Sequence, residues 1–332
     1  MTNGSSKSQL SEFDLIDRFF TPLAAPMSGA FGLTDDAATL APDPGMELVL
    51  TKDAMVSGVH FLEADGPANI ARKLLRVNLS DLAAMGAMPV GYLLATFWPQ
   101  GHPTEWIQSF ASGLAEDQKE FSIGLLGGDT VRTPGPLCLS LTAIGEIEVG
   151  QALRRNGAKI GDLVVVSGTI GDGALGLMAA QGNLEGIDPD QQDWLGNRYH
   201  LPQPRMLLGS MLKGLATACA DISDGLVADI GHICAASGVG AVLKADDIPL
   251  SEAARTALVK VPSLLTSVLS GGDDYELVFT LPAERVDSLE TLAAAAQTKL
   301  AVIGRIEAGE GVSVLDGAGV EIPLVEGGWQ HF

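Results

Sequence analysis

Basic residues are scarce in this sequence, and their scarcity argues against several classes of partner. The chain has 20 Lys and Arg against 41 Asp and Glu, which gives a formal net charge of −21 over 332 residues. A chain this acidic is repelled by the phosphates of nucleic acids and by anionic lipid. We therefore expect neither nucleic acid nor membrane as a partner, and an anionic substrate would need cations beside it.

Cysteine is also rare, and no uninterrupted apolar run is long enough to span a membrane. Cys138, Cys219 and Cys234 fit neither a zinc pattern nor a CxxC pattern, so we predict buried free thiols in a reducing, cytoplasmic compartment. The N-terminus lacks a basic segment followed by an apolar one, which predicts no secretory signal. Residues 82–104 carry no charge, but glycines and prolines divide the run, which predicts a helix end, a turn and a buried strand.

Several short motifs of known enzymes are missing from the sequence. It contains no G-x-x-x-x-G-K-[ST], no H-E-x-x-H and no G-x-S-x-G, which argues against a P-loop enzyme, a zincin and a nucleophile elbow. Residues 171–176, GDGALG, match G-x-G-x-x-G. The acids that follow lie in a proline-containing loop around 186–194, so we interpret the motif as a glycine-rich turn from strand to helix rather than a dinucleotide site.

Short β-rich runs and amphipathic segments are interspersed without strict alternation. The apolar runs predict strands over 46–51, 91–98, 121–126, 137–144, 162–167, 275–281 and 299–304. The helical patterns cover 67–86, 104–120, 173–182, 205–216, 223–237, 250–260 and 283–297. Two strand runs follow each other within 121–147, which favours an α+β fold over a doubly wound sheet. The polar stretch 150–162 predicts a boundary between two halves, 1–149 and 150–332.

Aspartates stand repeatedly beside glycine or serine near the ends of predicted elements. Single positions have ordinary explanations: a salt bridge for Asp81, or helix capping for Ser223 with Asp224 in the first turn. Asp229 and His232, further along that helix, we interpret as structural. Together the aspartates suggest one convergent acidic site, and oxygen donors select Mg²⁺, Mn²⁺ or Ca²⁺. The positions are Asp36, Asp53, Asp81, Asp129, Asp221, Asp224 and Asp273.

Five segments in this order resemble one known family. They are NLSDLAAMGAMP, LLGGDT, RRNGAKIGDLVVVSGTIGD, DISDGLVADIGH and SGGDDYELVFT. The combination resembles the thiamine-monophosphate kinase family, which belongs to a superfamily with aminoimidazole ribonucleotide synthetase and selenophosphate synthetase. The similarity extends over nearly the whole chain.

The resemblance implies an ATP-dependent kinase that converts thiamine monophosphate to thiamine diphosphate by direct, Mg²⁺-assisted, in-line phosphoryl transfer. It implies two α/β domains and a homodimer. Residues 1–149 would bind metal and ATP, and their mixed sheet would pair across the dimer axis. Residues 150–332 would form a sandwich-like α/β domain that completes the ATP and substrate site. The acceptor is a phosphate monoester that is already ionised at neutral pH, so no general base is required.

The resemblance also implies roles for individual residues. Several Mg²⁺ ions would be held by Asp36, Thr51, Lys52, Asp53, Asp81, Asp129, Asp221 and Asp224. ATP would contact Gly128, Asp129, Arg155 and Ser223, and thiamine monophosphate would contact His60, Asp273 and Trp329.

This sequence departs from the family pattern at three of these motifs. Thr34 replaces a glycine, Lys52 stands where a threonine is usual, and Asp273 is one methylene shorter than the usual glutamate. A lysine removes a side-chain ligand, although its backbone carbonyl is still available to a metal. Two alternatives stay open: another ATP-dependent enzyme of the superfamily, similar to aminoimidazole ribonucleotide synthetase, or an acidic Ca²⁺-binding protein without enzymatic activity.

Overall fold

The chain divides into two compact units that are each assembled from separate stretches of sequence. A computed structural model of the protein describes residues 11–324. Within them, the first unit comprises 11–41, Lys52–Leu75 and Pro89–Ile144, and the second comprises Pro42–Thr51, Arg76–Met88 and 145–324. The domain boundary proposed at residues 149 and 150 stays a prediction.

Strands and helices follow one another in a mixed order along the described residues. The strands are β1 Met46–Val56, β2 Met88–Pro99, β3 Gly124–Thr133, β4 Cys138–Glu148, β5 Leu163–Ser167, β6 Ala218–Asp221, β7 Gly240–Lys244, β8 Leu277–Leu281, β9 Leu300–Glu307 and β10 Gly311–Leu315. The helices are α1 Glu12–Leu15, α2 Thr21–Ala24, α3 Pro67–Ala84, α4 Thr104–Phe121, α5 Asp172–Ala180, α6 Pro189–His200, α7 Met206–Met211, α8 Leu226–Ser237, α9 Glu252–Lys260, α10 Leu264–Ser270 and α11 Ser288–Ala296.

The first sheet has the strand order β1-β4-β2-β3. Strands β2 and β3 run parallel, and their register shifts between Tyr92 and Leu93. Helix α4 buries Ile107, Phe110 and Leu114, which recur at the three- and four-residue spacing of one helical face. A continuous apolar face of this kind is what packs a helix into the core of the first unit.

The second unit contains a six-stranded mixed sheet with the order β10-β7-β9-β5-β8-β6. Strands β10 and β7 are parallel, whereas β5 pairs antiparallel with both β8 and β9, and β6 pairs antiparallel with β8. The three central valines of β5, Val164, Val165 and Val166, have no exposed surface, so both faces of this strand are covered.

The observed elements confirm the α+β class and most of the predicted long elements. Helices α3 and α4 match their predicted ranges to within two residues. The predicted loop around 186–194 was wrong, because Asp188 accepts the N–H of Asp190 and caps α6 with Pro189 in its first turn. The apolar run that ends at Asp221 reads as strand-like in the sequence and forms β6. Strands β7 and β10 were not predicted; each is only five residues long and begins at glycine, which weakens the sequence signal.

The three cysteines are free, as predicted. Cys219 and Cys234 are buried, but Cys138 at the start of β4 is only half-buried, so its predicted burial was wrong. The uncharged run 82–104 forms the end of α3, a turn and β2, as its glycines and prolines indicated. Among the helices within residues 11–324, none combines the length and apolar composition that a membrane crossing requires.

Candidate active site

The first unit has a cleft beside the edge strand β3 that brings together two of the predicted aspartates. Its volume is about 560 Å³, and its lining includes Asp36, Gly128 and Asp129. Gly128 pairs with Leu94 of the parallel strand β2, and a Cβ at this position would lie 1.8 Å from the Leu94 carbonyl oxygen. Only glycine permits this approach, which fixes the position of the following Asp129. Asp129 is a mid-strand residue of β3 that pairs with Ala95, not a residue at the strand end.

The second unit gathers another group of predicted residues around the end of α3. The Thr51 hydroxyl donates a hydrogen bond to Asp81, and the Ser80 hydroxyl donates one of 2.8 Å to buried Asp221. Burial raises the pKa of Asp81, and the Thr51 hydrogen bond and the positive charge of Arg155 offset part of that rise. Ser80 and Asp81 are neighbours on α3. Hydrogen bonds therefore join this helix to Asp221 through Ser80 and to Thr51 through Asp81.

The loop after β6 carries Ser223 and Asp224 and is organised by Asp229. One oxygen of Asp229 accepts the N–H groups of Ser223, Asp224 and Gly225 at 3.0, 3.1 and 3.2 Å. Burial and the charge of Asp224 raise the pKa of Asp229 to about 7, against the lowering effect of these backbone bonds and of Arg155. The capping role considered for Ser223 is wrong, since α8 begins after Gly225, which makes no side-chain cap.

The segment 271–276 lies against that loop. Asp273 adopts the left-handed backbone conformation, with φ of 71°, and its N–H donates to the Ser223 carbonyl oxygen at 3.0 Å. The next residue, Asp274, is buried and accepts the N–H groups of Gly171 and Gly173 at 2.7 and 2.9 Å. The amides of the GDGALG turn therefore donate to an acidic side chain of the chain itself, which confirms a strand-to-helix turn.

Comparison with known proteins places these features in a family. Residues 34–147 match the AIR synthase related protein N-terminal domain, and residues 159–317 match the corresponding C-terminal domain. The thiamine-monophosphate kinase of Caulobacter vibrioides is 46% identical over 97% of this chain and 91% of its own length. The chain belongs to the thiamine-monophosphate kinase family.

Solved structures agree with this membership. The thiamine-monophosphate kinase of Stenotrophomonas maltophilia K279a is 43% identical and superposes with a TM-score of 0.82, covering 92% of this chain and 96% of its own. AaThiL complexed with AMPPCP and TMP is 32% identical with a TM-score of 0.77, covering 99% of this chain and 100% of its own.

Two of the three departures from the thiamine-monophosphate kinase pattern, at Thr34 and Asp273, have a structural explanation. Thr34 has an ordinary φ of −102°, while the left-handed conformations fall on Phe31, Gly32 and Leu33, so the glycine usual at position 34 is not required here. The Thr34 hydroxyl closes the loop by donating to the Phe31 carbonyl oxygen at 2.7 Å. At Asp273 the shorter acid suits the left-handed backbone, which Asp adopts more readily than most residues.

The other predicted site residues do not share one environment. Lys52 is an exposed residue of β1, and the carbonyl oxygen of half-buried Asp53 accepts the Ser140 hydroxyl at 3.2 Å. His60 accepts the Val56 N–H at its Nδ1 at 3.1 Å, which leaves Nε2 as the ring nitrogen not used by this bond. Trp329 lies outside the described residues. The roles given to all of these residues stay predictions.

The donors in both groups suit a hard divalent cation. They are carboxylates and hydroxyls, which are the ligands that Mg²⁺ prefers. The carboxyls of half-buried Asp81 and buried Asp229 have raised pKa values because burial disfavours their charge, and a bound cation would favour that charge. Asp224, Asp229 and His232 each offer a ligand atom, and these atoms lie within 4.8 Å of one another. The residues present therefore fit a divalent metal ion.

Sequence reasoning missed two contributors to this region. Ser80 was not singled out, although it stands beside Asp81 in NLSD on a buried helix face, where a hydroxyl needs a partner. Asp229 was interpreted only as structural, and its contacts with the 223–225 loop could not be read from its spacing. An acid set between the apolar residues Leu226 and Ile230, close after a Ser-Asp-Gly turn, is the sequence signal that could have indicated this contact.

Proposed function

We propose that this protein transfers the γ-phosphoryl group of ATP to thiamine monophosphate and releases thiamine diphosphate and ADP. The observation that carries the proposal is full-length similarity to thiamine-monophosphate kinases, at 46% identity over 97% of the chain for the Caulobacter vibrioides enzyme. A structural neighbour with a TM-score of 0.77 is complexed with AMPPCP and TMP, an ATP analogue and the acceptor. The family motifs quoted from the sequence lie in the regions where the structure gathers acids and hydroxyls.

The chemistry of the acceptor suits a site without an activated nucleophile. A phosphate monoester has a second pKa near 6 and is mostly dianionic at neutral pH. The attacking oxygen therefore needs no base, and the chief obstacle is repulsion between two anionic phosphates. The family motifs accordingly contribute mainly carboxylates, hydroxyls and glycine amides, with Arg155 as a cation close enough to act on Asp81 and Asp229.

Magnesium ions are part of the proposal. We assign their binding to Asp36, Thr51, Lys52, Asp53, Asp81, Asp129, Asp221 and Asp224, with Lys52 contributing only a backbone carbonyl. When bound, Mg²⁺ neutralises phosphate charge and aligns donor and acceptor for in-line transfer. Thr51 and Ser80 hold the Asp81 and Asp221 carboxylates by hydrogen bonds, which limits the side-chain freedom that metal binding would otherwise remove.

Nucleotide and acceptor contacts complete the assignment. Gly128, Asp129, Arg155 and Ser223 are proposed to contact ATP, and His60, Asp273 and Trp329 are proposed to contact thiamine monophosphate. Homodimer formation and a cytoplasmic location are further parts of the proposal. The family resemblance supports the first, and the free cysteines are consistent with the second.

Product analysis tests the function directly. The purified full-length protein is incubated with ATP, Mg²⁺ and thiamine monophosphate, and the thiamine species and nucleotides are separated by chromatography. We expect equal amounts of thiamine diphosphate and ADP, no reaction when the chelator EDTA is present, and no phosphorylation of thiamine, which lacks the acceptor phosphate. Tight Mg²⁺-dependent ATP binding with no thiamine diphosphate would contradict the proposal and favour another enzyme of the superfamily. Metal binding with no nucleotide binding would favour the non-enzymatic alternative.

A further inference from the structure

Asp229 lies in the first turns of α8 and contacts the loop that carries Ser223 and Asp224. We propose that Asp229 is a positioning residue of the active site. It holds the 223–225 loop in the shape that presents Ser223 and Asp224 to their ligands, and through Ser223 it also fixes the segment that carries Asp273. The inference rests on the proposed function for the identity of those ligands, but the shape of the loop can be measured without any ligand.

The hydrogen bonds of Asp229 converge in an unusual way. Three consecutive amides, those of Ser223, Asp224 and Gly225, donate to the same carboxylate oxygen at 3.0–3.2 Å. Consecutive N–H groups point to one side only when the backbone curls into a concave turn around an anion. Because Asp229 has no exposed surface, water does not compete for these bonds. The carboxylate therefore determines the curvature of the loop.

The 223–225 loop and the residue before it are hydrogen-bonded to a second segment, residues 271–276. The Ser223 carbonyl oxygen accepts the Asp273 N–H at 3.0 Å, and the Ile222 carbonyl oxygen accepts the Tyr275 N–H at 2.8 Å. These bonds continue the antiparallel pairing of β6 with β8, which ends at Asp221 and Leu277. Ser223, the proposed nucleotide contact, and Asp273, the proposed acceptor contact, therefore lie on two segments whose backbones are hydrogen-bonded to each other.

The two loops approach so closely that glycine is required. A Cβ at Gly272 would lie 2.1 Å from the Ser223 carbonyl oxygen. Side chains are therefore excluded from this contact, and the relative position of the loops depends on backbone hydrogen bonds. A change in the curvature of the 223–225 loop would move the Ser223 carbonyl and with it the Asp273 amide.

Helix α8 is anchored independently of Asp229. Leu226, Ile230 and Ile233 of the helix are each no more than 1% exposed and belong to the core of the second unit. Loss of the Asp229 carboxylate should therefore leave the helix in place and release the loop. This separation distinguishes a positioning role from a general contribution to folding.

Asp229→Ala and Asp229→Asn are the test variants, and Asp162 provides a matched control. Asp162 is also buried in the second unit, and one of its oxygens accepts the Lys159 N–H at 2.9 Å and the Thr217 hydroxyl at 2.6 Å. It precedes β5, whose first residue pairs with Leu281, at the other end of β8 from Leu277. Asp162→Ala and Asp162→Asn therefore remove a similar carboxylate far along the same sheet.

Hydrogen exchange measured by mass spectrometry reports on the loops in the full-length protein without nucleotide or metal. We expect Asp229→Ala to accelerate exchange at least tenfold in peptides covering 222–225 and 272–276, since the free energy of local opening falls. Asp229→Asn keeps one oxygen for the amides, so protection should largely return. The two Asp162 variants should leave both peptides unchanged. Unaltered exchange in Asp229→Ala would overturn the proposal, whatever the effect on turnover.

Steady-state kinetics then connect the loops to catalysis. Misplacement of reacting groups by about 1 Å costs about 100-fold in rate, so Asp229→Ala should lower kcat by about that factor. Asp229→Asn should recover to within about tenfold of the wild type, because it restores an acceptor of the same size. Equal damage from both substitutions would overturn the positioning role, since it would show that the charge of Asp229 matters rather than its acceptor. If the wild type fails to phosphorylate thiamine monophosphate, the proposed function is wrong, while the exchange result still decides the role of Asp229 in the loop.

Discussion

Removing the charge of Glu276 should destabilise the second unit more than any exposed substitution. The Glu276 side chain has no exposed surface and lies just before β8. Its carboxylate accepts hydrogen bonds from Nη2 of Arg198 at 3.0 Å, from Nε of Arg205 at 2.6 Å and from the Ser167 hydroxyl at 2.6 Å. Glu276→Gln keeps the shape and the bond to Ser167, but it leaves two guanidinium groups without their shared anion.

The loss of stability depends on how far the two arginine partners are buried. The Arg198 and Arg205 side chains are 11% and 21% exposed, so water can compensate the missing charge only in part. Removal of one partner from a buried ion pair typically costs about 3–5 kcal/mol, and we expect a loss of that order in the free energy of unfolding. The pair between Lys213 and Glu148 is the control, because Glu148 is 55% exposed. Glu148→Gln should leave the denaturation midpoint close to that of the wild type, because water replaces the lost contact.

Urea denaturation of the full-length protein measures both values. Circular dichroism follows the whole chain, and tryptophan fluorescence, to which Trp194 on α6 contributes, gives a second probe of unfolding. Adding Arg205→Met to Glu276→Gln should recover part of the lost stability, because it removes one of the unpaired charges. A Glu276→Gln variant within 1 kcal/mol of the wild type would show that the arginines reach solvent or another anion, and the reasoning would be refuted.

The remaining predictions concern pH, metal binding, assembly and the acceptor. Burial raises the pKa of Asp274 to about 8. The folded state therefore keeps a proton that the unfolded state releases above about pH 4, and stability should fall by up to about 1.4 kcal/mol per pH unit between pH 4 and 8. Asp274→Asn should flatten this slope in denaturation curves measured across that range, and an unchanged slope would contradict the assignment. Asp81→Asn or Asp129→Asn should lower turnover by orders of magnitude at limiting Mg²⁺ while thermal melts stay near those of the wild type; near-normal activity would exclude them as ligands. Sedimentation at micromolar concentration should give a homodimer, and a monomeric mass would refute the proposed pairing. Trp329→Ala should raise the KM for thiamine monophosphate about tenfold through lost cation–π stacking, leave the KM for ATP unchanged and be rescued by Phe; equal damage to both KM values would indicate a packing role.

Long periodic segments of this sequence determine their own structure. Helices α3 and α4 present a regular buried face, and that repeat is readable without knowledge of the partners. The short strand β6 gives a weaker signal, because it consists of four residues, two of them alanines, and exists through its pairing with β8. Helix α6 was missed because Asp188 and Pro189 are compatible with both a turn and a helix start, and only the following residues decide between them.

The family can be identified from the sequence, because its motifs are local and their order is specific, and the acids of the candidate site are proposed from the same motifs. The contacts among those acids depend on the tertiary structure. Asp81 with Thr51, and Asp221 with Ser80, are separated by 30 and 141 residues, and no local pattern encodes such pairs. The role of Asp229 is decided in the same way: its sequence position allows a solvated helix residue, whereas burial of α8 turns its carboxylate toward three backbone amides. Side-chain chemistry is a property of each residue, but burial and partnership arise only when distant segments pack together.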